Sequence, residues 1–211
     1  MARPAIFLDR DGVLNRNDAD HVKCWSEFSF LPHTLAALRR LARLPASIIT
    51  ITNQAVVNRG LASTSAIEEI HWRMTHQVLA AGGRIDHVYY CPHRPDERCA
   101  CRKPEPGLLL AAAAEHDIDL SRSVFVGDAL TDVIAGKRAG CGTVLVMTGR
   151  GRSARLQLNG NALALPDVIA EDLYQAVPLI MDILHNRSHG MVPIDIAASA
   201  VGFASAGHQP Q

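Results

Sequence analysis

The sequence predicts an α/β protein: an open, three-layer parallel sheet with helices on both faces. Short apolar runs alternate with stretches of helical periodicity along most of the chain, and two of those runs, AIFLD and SVFVGD, end in a carboxylate. Parallel strands need crossover helices, so this alternation is the pattern that such a sheet requires. With 211 residues, 48% of them apolar, the chain can also bury a full core as one domain.

Residues 5–9, AIFLD, read as a buried central strand opening into a polar site, with Asp11 and Gly12 turning the chain after it. HTLAALRRLARL at 33–44 places Leu35, Leu38, Leu41 and Leu44 at roughly helical spacing behind Pro32. The run at 47–52 is the second strand, ending in Thr52 and the polar turn Asn53-Gln54. Residues 64–81 form a helix with Ile67, Ile70, Met74 and Val78 on its buried side and Ser63 or Thr64 as cap. IDHVYY at 85–90 is a strand, the cysteine-rich segment after it an irregular excursion, and 106–117 a helix beginning at a proline.

SVFVGD at 123–128 is the next buried strand, followed by a short helix over 132–139 closed by Gly140 and a strand at 142–147. Residues 151–170 read as a surface loop with an edge strand near Val168-Ile169, and 171–184 as a last helix bent or interrupted at Pro178. The expected domain is 1–185, with 186–211 a C-terminal extension of undecided structure. Ligands of such sheets bind at the C-terminal ends of the strands, so Asp9, Thr52 and Asp128 are predicted to converge in one cleft.

Lys and Arg balance Asp and Glu at 21 each, so no long-range field attracts nucleic acid or an anionic membrane. The few aromatics are not interleaved with basic runs, which argues against a nucleic-acid partner. No stretch reaches the ~18 uninterrupted apolar residues of a membrane span, and MARPAIFLDR is broken too early by charge for a secretory signal; the expected location is cytoplasmic. His21, His33, His71, His76 and His116 are expected on the surface, Cys141 buried, and Trp25 in loop packing.

The pair Asp9-Arg10-Asp11 at a strand end brings two carboxylates to one reacting atom. Asp9 is the candidate nucleophile for in-line attack on phosphorus, and Asp11 the acid/base that protonates the leaving alcohol and then activates water. Mg2+ takes carboxylate oxygens together with substrate phosphate, which fits Asp9, Asp128 and a backbone carbonyl at Asp11. Thr52 and Asn53 offer donors to phosphate oxygens, Lys103 a compact positive charge. Asp132 either supports the metal site or orients Lys103.

Cys91, His93, Cys99 and Cys101 form a Cys3His set, a complete tetrahedral complement for zinc with no open position. A closed structural Zn2+ site is expected, pinning a loop without regular structure. Arg102 and Lys103 follow the last ligand directly, which places Arg102, with Arg59 from the loop after the second strand, as a candidate for a further substrate oxygen or phosphate.

FLDRDGVLN, ITNQ, CRKP and VFVGDALTD resemble the four ordered motifs of the haloacid dehalogenase-like phosphatases. The resemblance spans roughly residues 5–148 and implies a Rossmann-like sheet of that type, with Asp9 and Asp11, Thr52, Lys103, and Asp128 with Asp132 in the motif positions. The intervals between Asp11 and Thr52 and between Gly60 and Lys103 leave no room for a large cap, as in the capless branch. CPHRPDERCACRKPEPG, with NQAVVNRG, is similar to the zinc loop and specificity residues of the D-glycero-D-manno-heptose 1,7-bisphosphate 7-phosphatases and the related histidinol-phosphate phosphatases.

That similarity implies a monomer acting in nucleotide-heptose supply, with Asn53, Arg59, Arg102 and Lys103 around the sugar bisphosphate and Mg2+ and Zn2+ as metals. The alternative substrates are histidinol phosphate or another small sugar phosphate. The chain departs from the heptose pattern at Ala129, where those enzymes often carry Lys, and in HVKCWSEFSF, which matches their first specificity loop loosely.

Overall fold

The computed structural model describes residues 2–17, 21–158 and 160–188. Six parallel strands, β1 (Ala5–Leu8), β2 (Ser47–Asn53), β3 (His87–Cys91), β4 (Val124–Gly127), β5 (Gly142–Val146) and β6 (Val168–Ala170), form one sheet in the order β3-β2-β1-β4-β5-β6. The helices are α1 (Thr34–Leu41), α2 (Thr64–Ala80), α3 (Gly107–His116), α4 (Leu130–Arg138), α5 (Gly151–Leu156) and α6 (Leu173–Ser188).

The central strand β1 is buried along its whole length, and its side chains alternate between two cores. Ile6 and Leu8 pack with α1, α2 and α6 through Leu38, Met74 and Ile180. Ala5 and Phe7 face α3 and α4 through Leu109 and Ala135, and Phe7 meets Phe125 edge-on at 6.5 Å. The three predicted layers follow from this alternation.

Element ends are set by local chemistry. The Ser63 hydroxyl accepts the Ala66 N–H at 3.1 Å and starts α2, and Gly140 at φ +82° ends the turn after α4. Two expectations need correction. Residues 151–156, expected as loop, form α5, which buries Ala154 against Val133 and Leu145. The last helix is not interrupted at Pro178, the sixth residue of α6, and it continues to Ser188, past the expected boundary at 185. The remainder of the C-terminal extension, 189–211, lies outside the described residues.

The strand order reverses direction between β1 and β4, which is where sheets of this kind open a crevice at their C-terminal edge. Pairing of Leu8 with both Thr50 and Val126 brings the residues that follow β1 and β4 level with the end of β2. Among the described residues, no separate domain is inserted between Asp11 and Thr52 or between Gly60 and Lys103, and no helix is long and apolar enough to cross a membrane.

Candidate active site

Asp9 leaves the end of β1 with its N–H on the Val126 carbonyl at 2.9 Å, so the sheet ladder itself fixes its position. Asp128 leaves β4 beside it, and Asp132 comes from the first turn of α4; carboxylate oxygens of the three lie within 4.8 Å of one another. Lys103 joins them. Its Nζ lies 2.8 Å from Asp9 Oδ1 and 2.7 Å from Asp132 Oδ1, and donates to the Ile51 carbonyl at 2.9 Å. All three ammonium protons are thereby used. Burial alone would lower the Lys103 pKa, but Asp132 and Asp9 outweigh it and hold the group firmly cationic.

One lysine does not balance this many buried acids. Burial, with Asp132, Asp128 and Asp11 adding to it and Lys103 opposing, pushes Asp9 up to about 8. Burial and Asp132 likewise push Asp128 up to about 7, against the Arg150 N–H and Lys103. Gly12 and Gly149 close over Asp128: a Cβ on Gly149 would overlap Asp128 Oδ2 and lie 2.6 Å from the Gly12 Cα, and both glycines hold positive φ. The site therefore combines hard oxygen donors, excess negative charge and a close backbone cradle, which together fit a Mg2+ ion held by Asp9 and Asp128.

Asp132 stands with Asp9 and Asp128 in the acid cluster and also holds Lys103. Its Oδ1 holds the ammonium, while its Oδ2 accepts the N–H groups of Asp128 (3.2 Å) and Ala129 (3.0 Å), capping α4 and fixing the loop that carries Asp128. At Asp9, Lys103 and the Arg10 N–H both meet Oδ1, so among the described residues Oδ2 carries no hydrogen bond.

Asp11 is gripped from several sides. Arg10 donates to it through Nε (3.2 Å) and Nη2 (2.9 Å to each oxygen), Asn15 Nδ2 donates at 2.9 Å, and Gln54 Nε2 at 2.7 Å. Burial works against ionisation of Asp11, yet Arg10, Asn15 and Gln54 outweigh it and hold the carboxyl below its ordinary range. Thr52 is buried, and its Oγ1 accepts from Gln54 Nε2 at 2.9 Å, which leaves its hydroxyl proton to donate.

Asn53 has a tie that the sequence did not show. Its amide exchanges two 3.2 Å bonds with the Lys103 backbone, so it fastens the lysine loop to β2 while lining the cleft. Arg102 also lines the cleft, with Nη1 on the His93 carbonyl at 3.0 Å. Arg59 is exposed at the rim, its Nη1 3.5 Å from His21 Nε2. The cleft encloses about 290 Å³ and brings together Asp9, Asp11, Thr52, Asn53, Arg59, Arg102, Lys103, Asp128 and Asp132.

The cysteine-rich loop leaves β3 next to the end of β2, because Cys91 pairs in register with Asn53. Cys101 Sγ lies 3.2 Å from Cys91 Sγ, Cys99 Sγ and His93 Nδ1, and Cys91 Sγ lies 3.5 Å from Cys99 Sγ and 3.4 Å from His93 Nδ1. Four donors at ~2.0–2.3 Å from one tetrahedral centre would be separated by roughly 3.5–3.8 Å, so the cluster is already close to the shape of a Cys3His metal site.

Sequence reasoning missed Arg10, Asn15, Gln54 and His71. Arg10 is completely buried, and His71, expected on the surface, is buried beside it. The spacing of Ile67, His71, Met74 and Val78 places His71 on the inner stripe of α2, a signal readable from sequence. Trp25 stacks on Phe28 at 4.9 Å, as expected for loop packing, and Cys141 is buried.

Residues 100–176 match the HAD-hydrolase-like family model. Over 152 residues the chain is 41% identical to the D-glycero-beta-D-manno-heptose-1,7-bisphosphate 7-phosphatase of Bordetella bronchiseptica, covering 72% of this chain and 85% of that protein. It is 38% identical over 191 residues to the D-glycero-D-manno-heptose-1,7-bisphosphate 7-phosphatase of Thermosynechococcus vestitus, covering 85% and 96%. The fold superposes with a TM-score of 0.79 on the crystal structure of the B. bronchiseptica D,D-heptose 1,7-bisphosphate phosphatase complexed with magnesium and phosphate, at 37% identity over 85% of this chain and 98% of that one.

Proposed function

The chain belongs to the haloacid dehalogenase-like phosphatases, in the group of D-glycero-D-manno-heptose 1,7-bisphosphate 7-phosphatases, and on that premise we propose that it hydrolyses the 7-phosphate of the heptose bisphosphate through an aspartyl-phosphate on Asp9. The observation that carries this reading is the Asp9 carboxylate, held through Oδ1 by a buried lysine and left open at Oδ2 among further acids.

In the first half-reaction Asp9 Oδ2 attacks phosphorus, the P–O7 bond breaks, and Asp11 gives its proton to the departing sugar oxygen. In the second, a water oxygen bonds to phosphorus and its proton passes to Asp11. The P–O bond to Asp9 then breaks, and the electron pair returns to the carboxylate. Thr52 donates its hydroxyl proton to a phosphate oxygen. Lys103 neutralises Asp9 and holds it on Asp132, a positioning role on which phosphoryl transfer largely depends.

Mg2+, held by Asp9, Asp128 and a backbone carbonyl at Asp11, would screen the repulsion between anionic nucleophile and anionic substrate. Cys91, His93, Cys99 and Cys101 would hold Zn2+ as a closed structural site that fixes the loop carrying Arg102 and Lys103. Arg59 and Arg102, both on the cleft, are assigned to the remainder of the sugar bisphosphate. We assign the phosphatase to residues 1–188, so that it includes the whole of α6, read the protein as a cytoplasmic monomer, and place its reaction in nucleotide-heptose supply.

The test is phosphate release by the purified protein with Mg2+ from both anomers of the heptose bisphosphate and from histidinol phosphate, following which phosphate leaves. Loss of the 7-phosphate at the higher kcat/KM supports the reading. Preference for histidinol phosphate overturns the substrate, and activity that survives Asp9→Asn overturns the mechanism.

A further inference from the structure

Arg10 is the largest fully buried side chain of the described residues, and nothing in an aspartate pair at a strand end requires an arginine between its members. Its guanidinium uses one edge, Nε and Nη2, on the Asp11 carboxylate, and Nη2 also reaches Gln54 Oε1 at 3.0 Å. The opposite nitrogen, Nη1, lies 3.1 Å from His71 Nε2. A guanidinium has donors only, so the Nε2 of His71 must be the acceptor and its proton must sit on Nδ1. Burial, and then the charge of Arg10, lower the pKa of His71 to about 3, which keeps that lone pair available at any pH at which the protein works.

His71 comes from the middle of α2, where Ile67, Ile70 and Met74 are fully buried around it and the Tyr90 ring lies at 5.4 Å. It is thus a rigid post, 61 residues from Arg10 in sequence, that fixes the far end of the guanidinium whose near end fixes Asp11. We propose that His71 is a positioning residue for the second half-reaction: by anchoring Arg10 it holds the Asp11 carboxylate oriented as the base that takes the proton of the attacking water. The direction follows from the donors. Arg10 and Gln54 present only N–H groups to Asp11, so they suit the unprotonated carboxylate that hydrolysis of the phosphoenzyme requires, and a protonated Asp11 in the first half-reaction must give up part of that grip. This inference rests on the aspartyl-phosphate reading above but not on the identity of the sugar.

The experiment compares His71→Gln, which keeps an acceptor, with His71→Met, which has nearly the same shape and lacks a strong one; His71→Phe replaces the methionine variant should that one fail to fold. Each full-length protein is mixed rapidly with Mg2+ and p-nitrophenyl phosphate, whose leaving group needs no proton, and p-nitrophenol release is followed before and after the first turnover. The methionine variant is expected to release about one equivalent quickly and then turn over on the order of a hundredfold more slowly than wild type, because its phosphoenzyme waits for a misplaced base. The glutamine variant is expected to stay within roughly threefold of wild type. Equal losses in both variants, or slow turnover of the methionine variant without a burst, would overturn the proposal, as would an unaltered steady-state rate. If the wild type instead proves inactive on heptose bisphosphate while showing Asp9-dependent turnover of the aryl ester, the sugar assignment falls, and the burst and steady-state rates of the His71 variants on the aryl ester still decide this inference.

Discussion

Replacing Lys103 by Met keeps most of the stem volume and removes one charge, which isolates the electrostatic role of the lysine. Its ammonium makes contacts of 2.7, 2.8 and 2.9 Å to Asp132, Asp9 and the Ile51 carbonyl, at 3% exposure. Breaking a buried ion pair by removing one partner typically costs about 3–5 kcal/mol, because the surviving charges stay buried without compensation. The same range is expected here at pH 8, together with loss of turnover.

The cost must depend on pH. Asp9 and Asp128 have folded-state pKa values raised to about 8 and about 7 from 3.8, so between those values the native state binds more protons than the unfolded chain, and stability falls as pH rises through the window. Removing Lys103 pushes both acids further up. Below about pH 7 both folded proteins hold these acids protonated and the deficit is level; above it the deficit grows, at up to about 1.4 kcal/mol per pH unit for each proton, as the acids ionise in the wild type and not in the variant. Urea denaturation of both proteins with a chelator present, followed by tryptophan fluorescence at pH 5 and pH 8, measures it. A deficit under ~1 kcal/mol at pH 8, or one equal at both pH values, would refute this account of the acid cluster.

Other expectations follow from the same geometry. Purified protein should carry about one zinc per chain, and Cys101→Ser should lose it and lower the melting temperature, since Cys101 touches all three other donors; elemental analysis finding no zinc in the wild type would contradict the closed site. His71, whose folded pKa is depressed to about 3 from 6.5, contributes stability that is fully present above pH 6.5 and lost as pH falls toward 3. In urea titrations between pH 7 and pH 4, His71→Gln should show a pH slope flatter by up to about 1.4 kcal/mol per unit; parallel curves would place His71 outside the buried network.

The sheet and the strand-end acids were legible because their signals are local. AIFLD and SVFVGD are short apolar runs closing in a carboxylate, and parallel pairing then leaves Asp9, Thr52 and Asp128 little choice but to meet. The second layer of the site was not legible for the opposite reason. Whether an arginine between two aspartates points to solvent or is completely buried depends on α2, and the partners of Asn53 arrive with a loop 50 residues later. Helix α5 was hidden by its flanking glycine and asparagine signals, and declared itself only through Ala154 packing on Val133 and Leu145.

The most direct test of the central claim is to quench the enzyme during turnover of the heptose bisphosphate, reduce the mixture with borohydride, and sequence the peptides by mass spectrometry. An acyl phosphate on Asp9 is reduced to an alcohol, so the account predicts homoserine at position 9 and nowhere else, absent when substrate is omitted. Modification at another residue, or an unaltered Asp9 peptide from an enzyme trapped in steady turnover, would contradict it.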